Sequence, residues 1–152
     1  DPRLYSSTLQ TVTAKLPVAD PGSGSGVYPQ NYPFNYAAII SGGGPQPATN
    51  NGNTETPPVY TITGPIITPA ITITDATGSR QTTFNMTLAA TDSLVIDVLN
   101  KTVKLGTASR YGFSTGAPIE SLSLAPGTST VSLSGTGDAT TTMTVAFRDA
   151  DI

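Results

Sequence analysis

Threonine alternates with aliphatic residues along much of this chain, and that alternation limits what it can fold into. Ile71-Thr72-Ile73-Thr74 is one such run, and Met143, Val145 and Phe147 share a face in another. A period of two puts one set of side chains on a core and the other in water, which is the pattern of a half-buried β-strand. Thr and Ser together supply 40 of the 152 residues, 26 of them Thr, whose branched Cβ suits a pleated surface. No stretch carries the 3.6-residue period of an amphipathic helix, so the chain reads as all-β.

Length and charge narrow the function. A chain of 152 residues has room for one ordinary domain with an arm or linker. It contains no Cys and no His, which removes disulfides, thiolate chemistry and the usual general base. The net charge of −3 comes without a basic block, so nucleic acid is not an expected partner. No apolar run approaches the roughly 18–20 residues of a membrane span, so no membrane insertion is expected. The chain starts at Asp1 without Met or a signal-like segment and reads as a piece of a longer protein.

Composition divides the chain. Eleven of its 13 prolines lie at or before Pro69. Pro21 to Gly26 and Ser41 to Pro47 read as connectors. Leu9 to Leu16 reads as a strand with Val12, Ala14 and Leu16 on one face, and Tyr36 to Ser41 as a further short strand. Between them Tyr28, Tyr32, Phe34 and Tyr36 alternate around Pro29 and Pro33, the pattern of an extended arm. Such an arm either anchors a neighbouring subunit or folds back on its own domain. From Pro57 onward the expected strands centre on Val59–Thr63, Ile71–Thr74, Phe84–Leu88, Leu94–Val98, Thr102–Leu105, Leu122–Leu124, Val131–Leu133 and Thr140–Phe147. Asp75–Ser79 and Gly135–Asp138 read as turns, and Asn100 is the expected left-handed residue of a hairpin. Short strands at this spacing predict an antiparallel β-sandwich or jelly roll preceded by a Pro/Gly-rich extended arm.

Three stretches resemble the distal tail proteins of siphophages, in the lineage that infects actinobacteria. They are Asp1 to Ser6 (DPRLYS), Asn50 to Ile66 (NNGNTETPPVYTITGPI), and Asp92 to Asp149, which ends in FRD. The resemblance implies a galectin-like C-terminal sandwich over residues 50–152. It also implies that residues 1–49 are the end of an N-terminal ring domain plus arm and linker. A hexamer of the full-length protein, contacts with tail tube and baseplate hub, and a place at the virion tail tip follow from the same resemblance. Many relatives have tryptophans where this chain has Leu122, Leu124 and Phe147, so sugar stacking on those rings is not expected here.

Catalysis finds little support. Ser and Thr need an activating base, and Lys15, Lys101 and Lys104 stand in no Ser-x-x-Lys spacing. Asp92 and Asp97 are five apart and face opposite sides of a regular strand, while Asp149 and Asp151 read as solvated. Gly42-Gly43-Gly44 runs into Pro45, not into a helix with a Lys, so it is no phosphate cradle. No cofactor or metal is expected. The remaining candidate is an aromatic loop, Arg110, Tyr111, Phe113 and Ser114, whose rings and polar neighbours suit a host surface glycan. The competing reading is that one ring plugs the end of the sandwich.

Overall fold

The computed structural model describes residues 3–16 and 44–152. Fourteen strands and two 3-10 turns make up the regular structure of the described residues. The strands are β1 (Leu4–Tyr5), β2 (Gln10–Lys15), β3 (Gln46–Asn50), β4 (Val59–Thr63), β5 (Ile66–Asp75), β6 (Gly78–Phe84) and β7 (Thr87–Leu88). They continue with β8 (Ser93–Asp97), β9 (Thr102–Leu105), β10 (Ala108–Ser109), β11 (Ser114–Gly116), β12 (Gly127–Gly137), β13 (Thr142–Phe147) and β14 (Ala150–Asp151). One six-stranded sheet has the order β10-β9-β8-β4-β13-β2. The other has the order β11-β6-β5-β12-β3, with β7 also paired to β5. Every pairing is antiparallel. The two sheets face one another as a β-sandwich.

The alternation does the sorting. Tyr60 and Ile62 of β4, Leu94 and Ile96 of β8, and Met143, Val145 and Phe147 of β13 point inward and are buried. They meet Ile71 and Ile73 of β5, Phe84 of β6, and Val131 and Leu133 of β12 in one cluster. Burying a side chain of this size is worth about 1.5–3 kcal/mol, so the facing rows supply the bulk of the driving force. The outward rows are mostly Thr and Ser. On the outer face of the second sheet they bond across strands, Thr49 to Thr128 at 2.9 Å and Gln81 to Thr72 at 2.9 Å. β12 bends at a bulge between Ser134 and Thr136. Gly135 occupies it at φ 138°, with the Ile66 side chain and the Ile67 carbonyl too close for a Cβ.

β2 pairs with β13 along its whole length and β3 with β12, and Ala14, Leu16 and Ala48 complete the buried side of the sandwich. Three sequence expectations change. Leu122 and Leu124 do not sit in a strand. Leu122 ends a 3-10 turn (Ile119–Leu122) and Leu124 makes a lone bridge to Thr56. Pro118, in extended conformation, caps the start of that turn. In the β8–β9 hairpin the left-handed residue is Lys101 at φ 57°, not Asn100. Asn100 instead closes the turn by donating its side-chain amide to Asp97 at 2.8 Å. Finally, β12 runs on through Gly137, so the turn lies at Asp138. There the Thr140 amide donates to the carboxylate at 2.8 Å. The expected strand at Tyr36–Ser41 and the aromatic arm lie outside the described residues.

Candidate interaction surfaces

The aromatic loop carries the chain from one sheet to the other. The Arg110 amide donates to the Val103 carbonyl at 2.7 Å, which ties the loop to β9. A 3-10 turn at Tyr111–Phe113 follows, closed by the Phe113 amide on the Arg110 carbonyl at 3.0 Å. The Asn85 amide holds the Phe113 carbonyl at 2.9 Å, and β11 then pairs with β6. This scaffold turns both rings outward. Tyr111 is 44% exposed and Phe113 45%, so neither plugs the sandwich. The polar neighbours are engaged within the loop. The Arg110 guanidinium lies 5.7 Å from the centroid of the Phe113 ring, in cation–π range, and donates to the Ser109 carbonyl at 3.1 Å. The Ser114 hydroxyl donates to the Tyr111 carbonyl at 2.8 Å.

Tyr28, Tyr32, Phe34 and Tyr36 are outside the described residues, but the base of their segment is defined. The Gly44 amide donates to the Lys15 carbonyl at 3.2 Å. The chain therefore leaves β2 and re-enters ahead of β3 at one point.

Sequence reasoning missed an apolar groove on the outer face of the first sheet. Leu9, Pro57, Val59, Leu99 and Ala146 line a groove of about 210 Å³. Leu9 and Leu99 flank it and are 53% and 51% exposed. Strand parity carries the signal. Leu9 is out of step with Val12, Ala14 and Leu16, and Leu99 with Leu94, Ile96 and Val98, so both leucines point away from the core.

The acids serve as structural acceptors. Asp92 accepts from the Ala89 amide at 2.9 Å, and Asp97 from the Asn100 amide at 3.1 Å. Asp149 is half-buried, contrary to the solvated reading. It accepts from the Gln10 side chain at 2.6 Å and the Asn51 amide at 2.9 Å. Its neighbour Arg148 donates to the carbonyls of Ser6 and Ser7, so the closing FRD segment clamps the N-terminal strands. The Asp75 carboxylate, 3% exposed, accepts from the Arg80 guanidinium at 2.8 Å, which holds its pKa down at about 2. Arg80 also grips the carbonyls of Ser121 and Ser123 and so fastens the 3-10 turn to β6. Among the described residues no group of acids is placed to hold a metal ion, and no helix is long and apolar enough to cross a membrane.

Residues 51–150 match the family model for the siphovirus-type tail component, C-terminal domain. The chain belongs to that family. No curated protein and no solved structure matches it. For a siphovirus-type tail component the setting is the virion tail, where its surfaces meet other tail proteins. Within that family domain lie the aromatic loop, the FRD clamp and most of the groove. Leu9 reaches the groove from β2's end, outside the matched range.

Proposed function

We propose that this tail component acts by assembly at the tail tip, as a galectin-like sandwich that docks on tube and baseplate proteins and performs no catalysis. The family match carries this reading. The side chains support it. Asp92, Asp97 and Asp149 are committed to turns and clamps, and the chain offers no His or Cys to activate a hydroxyl. A hexameric ring in the full-length protein is the oligomer we expect, on the resemblance to distal tail proteins.

A second reading, binding of a host surface glycan, is favoured by one observation: Tyr111 and Phe113 are both exposed on a braced loop. Against it, Arg110 and Ser114 already spend hydrogen bonds inside the loop. Co-purification with tube and hub proteins, alongside a glycan array, separates the two. Assembly predicts capture by tail proteins and sugar binding no tighter than millimolar, about −4 kcal/mol. Micromolar glycan binding that is lost in Tyr111→Ala would replace the assembly reading with the adhesion one.

A further inference from the structure

The loop after β3 carries the chain's one Asn-Gly pair, Asn51-Gly52. Asn is a thermolabile residue, and Gly has no Cβ to hinder a backbone nitrogen from closing on the side chain before it. In that reaction the Gly52 nitrogen bonds to Asn51 Cγ and the Cγ–Nδ2 bond breaks. Nδ2 leaves as ammonia, taking the proton that the Gly52 nitrogen gives up. Water then opens the cyclic imide at either carbonyl, leaving Asp or isoaspartate.

The fold holds every group this step needs. The Gly52 N–H donates to Asn50 Oδ1 at 3.0 Å. Asn50 is fully buried and donates its own amide to the carbonyls of Thr54 at 2.7 Å and Leu124 at 3.3 Å, so Oδ1 is fixed in place. On the other side Asn51 donates to Asp149, from its backbone at 2.9 Å and from Nδ2 at 3.4 Å. Asn51 itself is exposed, so water reaches it without further opening.

We propose that Asn51 is a deamidation site that the native loop keeps closed, with the Asn50 side chain as its latch. Conversion adds a carboxylate to a loop that already donates to two, Asp149 and Asp151, the latter from the Asn53 amide at 2.9 Å. It also removes the Nδ2 donor, so a converted chain holds its closing segment less firmly. The mark collects on copies whose loop has opened. This chemistry is independent of what the sandwich docks on.

The test is peptide mapping that resolves Asp from isoaspartate, on the full chain held in warm, mildly alkaline buffer. In urea, Asn51 should convert faster than Asn100, which precedes Lys101. In the folded chain it should convert about tenfold or more slowly than in urea, since reaction then waits on breaking a buried hydrogen bond. The Gly52 amide should be protected from hydrogen exchange. Asn50→Ala with an unchanged circular dichroism spectrum should restore most of the lost rate. Should that variant lose the fold, the urea comparison and exchange at Gly52 decide alone. Asn51→Asp, which carries the added charge, should speed amide exchange at Asn51 and Asn53. Equal conversion in folded and urea-treated chains, a freely exchanging Gly52 amide, or a folded Asn50→Ala that reacts no faster than wild type would each overturn the latch. Conversion at Asn51 no faster than at Asn100 in urea would overturn the site itself, and unchanged exchange in Asn51→Asp would overturn its effect on the closing segment.

Discussion

The Tyr60 hydroxyl donates to the Leu122 carbonyl at 2.7 Å inside a fully buried core. This bond joins β4 to the end of the 3-10 turn, and burial pushes the phenol pKa well above its usual value. A raised pKa means that the folded state favours the protonated phenol. Its stabilising effect is complete below pH 10 and is lost as pH climbs beyond that. Tyr60→Phe should cost about 1–3 kcal/mol by leaving the carbonyl unpaired. Denaturant melts near neutral pH check this, and the wild type should also lose stability in strongly alkaline buffer.

Acid should act through Asp75. Its carboxyl is held at about 2 in the folded state by Arg80, against an ordinary 3.8. The stabilisation is present above pH 4 and is lost as pH falls towards 2, a contribution of about 2 kcal/mol. Asp75→Asn should remove that acid-sensitive part of the stability curve. Urea melts at pH 6 and pH 2.5 measure the difference, and equal losses in both proteins would contradict it.

Parity makes Ile96 and Val95 a matched test. Ile96 is fully buried, whereas Val95 on the outer face is 37% exposed. Ile96→Ala should cost about 2–5 kcal/mol, and Val95→Ala clearly less. Chemical denaturation of both variants reads the ratio.

Gly52 should tolerate no side chain. A Cβ there would stand 1.9 Å from the Ala150 carbonyl oxygen. Gly52→Ala is expected to prise the loop from β14, with increased amide exchange at Thr54, whose N–H donates to the same carbonyl at 3.1 Å. Hydrogen exchange at Thr54 is the measurement.

A chain cut to begin at Thr56 should be unstable. It would lose β2, β3 and the Asn50 side chain, whose amide donates to Thr54 at 2.7 Å and whose oxygen accepts from Gly52 at 3.0 Å. A cooperative, wild-type-like melt of that truncation would show that these strands are dispensable.

What the sequence made legible follows its periodicity. Val59–Thr63 matches β4 residue for residue, and the inward rows at Leu94/Ile96 and Met143/Val145/Phe147 are the buried ones. The 3-10 turn at Ile119–Leu122 was hidden because Leu122 and Leu124 mimic a strand period. The Arg80–Asp75 pair spans only the β5–β6 hairpin, but the carbonyls of Ser121 and Ser123 that Arg80 also holds are distant in sequence, and no local rule brings them there. The aromatic loop at Tyr111 and Phe113 is legible in the sequence, but the direction of its rings is not. Their direction is set by backbone bonds from Asn85 and Val103, distant in sequence.

The pairing of β2 with β13 has a consequence during synthesis. β13 lies between β4 and β2 in the sheet, so among the described residues β2 has no sheet neighbour until β13, near the end of this chain, is translated. At roughly 5–20 residues per second the wait is on the order of ten seconds on the ribosome. Through that interval Val12, Ala14 and Leu16 have no partner strand to shield them. The alternating threonines of β2, and Lys15 at its end, are the polar groups that the waiting segment presents to water.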